Sequence, residues 1–103
     1  MIGFRRVASI DDISPGRGIV VQVDGKQIAV FNVKGLFYAI DNTCSHRGGP
    51  LGEGSLRGAT VNCPWHGAQF DVTNGQVLGP PAPAGVISYS TKVEGGSVWV
   101  ALS

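Results

Sequence analysis

Apolar and polar residues alternate in short runs near both ends of the chain, and this alternation predicts β-strands. Two of the runs are joined by Asp24-Gly25, a dipeptide typical of two-residue hairpin turns, and the next run follows Lys34-Gly35. No window of about 11 residues shows a clear helical period, so no long helix is expected. Ser9 is suited to cap one helical turn at residues 9–13. The predicted strands outside the middle of the chain are residues 4–8, 17–23, 26–33, 36–40, 86–93 and 97–101.

The middle of the chain, about residues 41–83, has a different pattern. It is richer in Gly and Pro, contains two short strand candidates at 60–62 and 68–72, and has a further hairpin turn at Asn74-Gly75. We interpret it as an excursion from the β core within one domain of residues 1–103. The predicted fold class is therefore all-β, a small antiparallel β-sandwich or open barrel with a loop-rich insertion.

The composition narrows the possible functions. Gly accounts for 16 of the 103 residues, so much of the chain is expected to lie in turns and loops. The formal net charge is +1 and the basic residues are scattered, which argues against a nucleic-acid partner. No run approaches the roughly 20 apolar residues of a membrane span, so we expect a cytoplasmic protein that does not bind membranes. In that compartment two cysteines are more typical of metal ligands than of a disulfide.

All cysteines and histidines of the chain lie in one glycine-rich stretch, as Cys44-x-His46 and Cys63-x-x-His66. Two loops that each supply two ligands suit a metal centre between them. Structural zinc accepts two Cys and two His, but its usual pairs are Cys with Cys and His with His. A [2Fe–2S] cluster with two Cys on one iron and two His on the other takes one Cys and one His from each loop. The alternation of Cys and His therefore favours the cluster over zinc.

The segments CSHRGGPL (44–51) and CPWHGAQF (63–70) resemble the two signature motifs of the Rieske iron–sulfur proteins. The resemblance implies one Rieske [2Fe–2S] cluster and a core of three-stranded sheets in two layers. It also implies a smaller cluster-binding subdomain at about 41–83 and a proline segment that covers the cluster. The implied ligands are Cys44, His46, Cys63 and His66. The residues assigned to partner docking are Arg47, Trp65 and Pro81.

Substitutions next to these ligands indicate which branch of the family the chain resembles. Respiratory and photosynthetic Rieske proteins carry two further cysteines in these loops, and the matching positions here are Gly49 and Trp65. Those proteins also have Ser and Tyr hydroxyls that hydrogen-bond to sulfur, where this chain has Ala68 and Phe70. Fewer donors stabilise the extra negative charge of a reduced cluster less. We therefore expect a potential toward the lower end of the roughly −150 to +300 mV Rieske range.

A low-potential Rieske protein of this size resembles the soluble ferredoxins of ring-hydroxylating dioxygenase systems. The resemblance implies a one-electron carrier between a flavin-dependent NAD(P)H ferredoxin reductase and a terminal oxygenase. Because both histidines are taken as cluster ligands, we expect no catalytic site in the chain itself. Transient contacts with both partners and a monomeric state are also expected. The alternative function is the small subunit of an assimilatory nitrite reductase, which has the same fold, and a zinc-stabilised binding module is a third.

Overall fold

In a computed structural model of the chain, the described residues form ten strands and two single-turn 3₁₀ helices, Ile10–Asp12 and Leu51–Glu53. The residues that the structure describes are 3–43, 49–65, 67–79 and 84–102. No helix within these ranges is long and apolar enough to cross a membrane. The strands are β1 Phe4–Ser9, β2 Arg17–Val23, β3 Lys26–Val33, β4 Leu36–Asp41, β5 Ser55–Arg57, β6 Thr60–Asn62, β7 Gln69–Asp71, β8 Val77–Gly79, β9 Ser88–Glu94 and β10 Ser97–Ala101.

Six of the strands form one antiparallel sheet in the order β1-β10-β9-β4-β3-β2. The sheet consists of two three-stranded halves, β2-β3-β4 and β1-β10-β9, which are joined by a short pairing of β4 with β9. Because β1 also contacts β2, the sheet curves into a nearly closed barrel. This confirms the prediction of an all-β open barrel, and the two halves correspond to the three-stranded layers that the resemblance implies.

The turns between neighbouring strands are set by local sequence. Asp24 and Gly25 have φ angles of +49° and +83°, the left-handed conformation that both positions of a type I′ turn require. Lys34 and Gly35 repeat this at the β3–β4 turn, with φ angles of +54° and +91°. Ser9 caps the 3₁₀ turn after β1 with a capping box. These local predictions are therefore confirmed.

A second antiparallel sheet, β5-β6-β7-β8, lies between β4 and β9 in the sequence. The sequence pattern predicts β6 and, as the longer segment 68–72, β7. β5 and β8 were not predicted, because Ser-Leu-Arg and Val-Leu-Gly are short and each includes at least one residue of low strand preference. The Asn74-Gly75 turn joins β7 to β8, with Gly75 at a φ of +80°.

Strand β3 is buried on both faces and contributes to two hydrophobic cores. Ile28 and Val30 pack in the core inside the barrel, together with Val98 and Val100 of β10. The alternate positions of β3 pack in a second core, which joins the barrel to the small sheet. The buried members of this second core are Ala29, Phe31, Ile40, Leu51, Val61, Cys63, Ala68, Phe70 and Val72. The second core thus contains one of the four predicted ligands, Cys63.

Candidate metal centre

The first predicted ligand loop is closed at its base by backbone and side-chain hydrogen bonds. Thr43 and Pro50 form an isolated antiparallel bridge. The amide of Leu51 donates to the backbone oxygen of Asn42 at 2.7 Å, and the amide of Gly52 donates to Asn42 Oδ1 at 2.8 Å. Asn42 is buried, so these bonds are shielded from water. The chain therefore leaves and rejoins the core at one point. Cys44, His46 and Arg47 belong to the segment between Thr43 and Gly49, which lies outside the described residues.

The second predicted ligand loop is a tight turn at the tip of the β6–β7 hairpin. The amide of Cys63 donates to the backbone oxygen of Ala68 at 2.7 Å, and the amide of Gly67 donates back to the Cys63 oxygen at 3.1 Å. Gly67 has a φ of +75°, a conformation that favours glycine. The loop is thus fixed at both ends, and His66 lies within it, outside the described residues.

The two loops meet at Gly49. A Cβ atom at Gly49 would lie 2.5 Å from Cys63 Sγ and 3.2 Å from Trp65 Cγ, so the end of the first loop packs directly on the second. The two positions that carry extra cysteines in respiratory Rieske proteins, Gly49 and Trp65, are therefore neighbours in this chain. Cys63 Sγ lies at this contact.

The surroundings of Cys63 fit an iron–sulfur cluster. The side chain is 4% exposed and packs among Leu51, Val61, Ala68 and Phe70, all of them fully buried. A soft sulfur donor in an apolar, water-excluded position at a loop junction is what such a cluster requires. Within the described ranges, no group of three or more His, Cys, Asp or Glu side chains forms another metal site.

The side chain of Trp65 lies largely in solvent. It is 57% exposed, although it is two residues from the buried Cys63 and its Cγ would lie 3.2 Å from a Cβ placed on Gly49. Of the three residues predicted to contact partners, it is the one that the structure describes. Arg47 and Pro81 lie outside the described residues.

The chain on either side of the proline segment is anchored to the small sheet. On the near side, Gly79 pairs with Gln69 at the end of β8. On the far side, the amide of Val86 donates to the Gly75 oxygen at 2.8 Å, and a Cβ at Gly85 would lie 2.6 Å from that same oxygen. The near side of the segment is thus fixed to strand β7 and the far side to the β7–β8 turn, both of which follow the Cys63 loop.

A polar network that the sequence pattern does not predict lies beside the first loop. The hydroxyl of Tyr89 donates to the carboxylate of Asp41 and accepts from Lys26 Nζ at 3.1 Å. Burial raises the pKa of Tyr89, and the hydrogen bond to Asp41 raises it further. The hydrogen bond to Tyr89 raises the pKa of Lys26. No spacing signal reveals this network, because Tyr89 lies on β9, 48 residues from Asp41 and 63 from Lys26.

We expect this network to make stability depend on pH above about 10, the ordinary pKa of tyrosine. A group whose pKa is raised on folding stabilises the fold fully below its unfolded pKa and loses that contribution as the pH passes its folded value. The wild type should therefore be more stable than Tyr89→Phe at pH 7, and this advantage should shrink between about pH 10 and pH 12. Urea midpoints of both proteins across that range measure it. An advantage that stayed constant to pH 12 would contradict the prediction.

The chain forms an antiparallel β-barrel with a small second sheet, and it carries Cys-x-His and Cys-x-x-His on two closed loops that touch. Together these features define the class of iron–sulfur electron-transfer proteins. The family model described as "Rieske [2Fe-2S] domain" matches residues 4–90, and the chain belongs to this family. Its prosthetic group is a Rieske [2Fe–2S] cluster, which confirms the prediction of a cluster over zinc.

Individual relatives agree with the predicted branch of the family. The chain is 39% identical over 87 residues, 84% of either chain, to the ferredoxin component of the naphthalene 1,2-dioxygenase/salicylate 5-hydroxylase systems of a Ralstonia species. Its fold matches the ferredoxin of carbazole 1,9a-dioxygenase from Nocardioides aromaticivorans IC177 with a TM-score of 0.93 and 32% identity, covering 97% of this chain and 98% of that one.

A further match is to the complex of reduced oxygenase and oxidised ferredoxin in carbazole 1,9a-dioxygenase. The TM-score is 0.89 and the identity 33%, over 95% of this chain and 92% of that one. The curated relatives are named as ferredoxin components of dioxygenase systems, which are electron carriers and not catalytic subunits. The prediction of a dioxygenase-type Rieske ferredoxin is thereby confirmed.

Proposed function

We propose that this protein receives single electrons from a flavin-dependent NAD(P)H ferredoxin reductase and passes them to a terminal ring-hydroxylating oxygenase. The observation that carries the proposal is the buried Cys63 thiol at the contact of two closed loops, in a chain similar over most of its length to dioxygenase ferredoxins. The similarity to a ferredoxin solved with its oxygenase supports an oxygenase as the acceptor. The cytoplasm, where NAD(P)H is available, is the compartment that this role requires.

The proposed ligands are the four residues of the two motifs. Two thiolates would bind one iron and two imidazoles the other, so that each loop contributes to both irons. The closed base at Asn42 and the tight turn at Cys63 support this assignment, because each fixes the chain directly beside a predicted ligand. The proposed ligands are Cys44, His46, Cys63 and His66.

When bound, the cluster supplies a one-electron redox couple. Cys63 contributes a thiolate in apolar surroundings, and the fully buried Leu51, Ala68 and Phe70 exclude water from that side. The hydrogen-bonded loop bases hold the ligand-bearing segments in place, so we expect little change in geometry between the two oxidation states.

Residues 41–83 are proposed to act as the cluster-binding subdomain of a single domain, 1–103, and the separate sheet β5–β8 supports this division.

A reconstituted electron-transfer chain tests the proposal. The purified protein is mixed with NADH, the flavin reductase of a dioxygenase system and its terminal oxygenase, and the visible absorption of the cluster is followed. We expect stoichiometric bleaching by reductase and NADH, then recovery when oxygenase and aromatic substrate are added. No reduction by the reductase would overturn the proposal. Transfer to a nitrite reductase large subunit in place of the oxygenase would favour the alternative function.

Trp65 is proposed to contact the partner at the face where the cluster lies, with Arg47 and Pro81 as further contacts. Exposed tryptophans at interfaces often contribute more than 1 kcal/mol to binding. We expect Trp65→Ala to lower the rate of electron transfer to the oxygenase about tenfold at sub-saturating partner concentration. Stopped-flow reoxidation at several oxygenase concentrations measures this, with iron content determined alongside so that loss of cluster is recognised.

Leu36→Ala provides the matched control for Trp65. Leu36 is also a large apolar side chain, 62% exposed, but it lies at the opposite end of β4 from the first ligand loop. Its replacement should leave the transfer rate unchanged. Equal effects of the two substitutions would show that exposed apolar area in general, and not the Trp65 face, governs the encounter.

A further inference from the structure

The network of Asp41, Tyr89 and Lys26 lies where the two halves of the barrel are weakly joined. The register of β4 with β9 contains two pairs, Ala39 with Tyr89 and Ile40 with Ser88. Beyond these pairs the junction is continued by Asp41. Its carboxylate accepts from the Tyr89 hydroxyl, and its backbone amide donates to the Ile87 oxygen at 2.9 Å.

The same junction leads directly into the first ligand loop. Asp41 is followed by Asn42, whose buried side chain closes the base of that loop. The Asn42 amide in turn donates to the Gln27 oxygen at 3.1 Å, next to Lys26, which completes the network. Movement at Asp41 would therefore be transmitted to the point where the loop begins.

The other side of the junction leads to the proline segment. The amide of Ile87 donates to Asp41 Oδ2 at 3.4 Å, and the neighbouring Val86 is bonded to the Gly75 oxygen at 2.8 Å. Asp41 is thus hydrogen-bonded to the chain that follows residues 80–83. In the sequence it also lies just before residues 44–48. It connects the chain on both sides of the candidate centre.

We propose that Tyr89 and Asp41 are positioning residues, which hold the first ligand loop and the exit of the proline segment in fixed relation and thereby set the geometry and retention of the cluster. The inference rests on the proposed ligand set. Neither residue is a ligand; both act through the backbone of residues 41–43 and 87. Lys26 supports the pair by donating to the Tyr89 hydroxyl, and its ammonium lies 5.5 Å from the centre of the Tyr89 ring.

Tyr89→Phe tests this proposal because it removes one hydroxyl and keeps the ring. Losing a hydrogen bond of typical strength should make cluster loss about fivefold faster at temperatures where far-UV circular dichroism shows the fold intact. We also expect shifts in the visible circular dichroism and the electron paramagnetic resonance of the cluster, which a role in fold stability alone would not produce. Wild-type spectra and wild-type retention in Tyr89→Phe would overturn the proposal.

Tyr38→Phe is the matched control. Tyr38 lies on β4 and packs against the second core, but its hydroxyl makes no hydrogen bond to any residue that the structure describes. Its replacement should leave spectra and retention as in the wild type. An effect as large as that of Tyr89→Phe would show that any tyrosine hydroxyl here matters, and would overturn the assignment to Tyr89.

Substitutions at Asp41 give an independent second test. Asp41→Asn keeps an oxygen that can accept from the Tyr89 hydroxyl, whereas Asp41→Ala removes both acceptors. Cluster loss should therefore be faster in Asp41→Ala than in Asp41→Asn, and equal, wild-type retention in both would overturn the proposal. If the wild type itself bound no cluster, the proposed function would fail. A wild-type cluster unaffected by all three variants would refute the inference alone.

Discussion

Cys63→Ser is expected to fold but to be purified without its cluster. A serine oxygen is a harder and far more basic ligand than a thiolate, and iron–sulfur clusters select thiolates. Cys63 Sγ lies at the contact of the two loops, and among the described residues it is the only thiol. Iron and acid-labile sulfide should fall to less than about a tenth of the wild-type content, and the visible absorption should disappear. Metal analysis, sulfide assay and absorption spectra measure this.

The experiment needs a control for damage to the core. Cys63 is fully enclosed, and a buried hydroxyl without a partner costs about 1–3 kcal/mol. Val61→Ala disturbs the same core without removing a ligand, at a cost of about 2 kcal/mol. It should keep its iron, whereas Cys63→Ala, which leaves no unpaired polar group, should lose it. Full iron and sulfide content in Cys63→Ser would refute the assignment of Cys63 as a ligand.

The hairpins of the barrel could be predicted because each depends on a few adjacent residues. The Asp24-Gly25 turn adopts the left-handed conformation that its sequence favours, and the same holds for Lys34-Gly35. The ligand motifs could also be recognised, since Cys and His occur nowhere else in the chain. Local sequence therefore carried most of the information about the large sheet and about the chemistry of the site.

Features that depend on distant pairing could not be predicted. β5 and β8 exist because β6 and β7 provide hydrogen-bonding edges, and not because three residues of each have a marked strand preference. The hydrogen bond between Tyr89 and Asp41 joins residues 48 positions apart and arises only when β4 pairs with β9. The contact of Gly49 with Cys63 likewise becomes apparent only once both loop bases have closed.

Ala68→Ser combined with Phe70→Tyr is expected to raise the reduction potential by about 80 mV. Reduction adds one negative charge to the cluster, and a hydroxyl that donates to sulfur stabilises the reduced form more than the oxidised form. About 1 kcal/mol for each hydrogen bond corresponds to about 40 mV in a one-electron couple. A rise of about 80 mV would shift the equilibrium constant for electron exchange with a redox partner about twentyfold. Spectroelectrochemical titration at pH 7 measures the potential of the wild type and of both single variants.

The location of the two residues makes this a stringent test. Ala68 and Phe70 are fully buried in the core that contains Cys63, so an added hydroxyl there is held away from water and must find an acceptor nearby. If the sulfur atoms of the cluster accept hydrogen bonds from the added hydroxyls, the reduction potential rises and the free energy of unfolding changes little. If they do not, stability falls by about 1–3 kcal/mol with no change in potential. Val72→Thr, which adds a hydroxyl elsewhere in this core, should show that second pattern and is the control. An unchanged potential in the double variant would mean that Ala68 and Phe70 do not set the low potential expected of this chain.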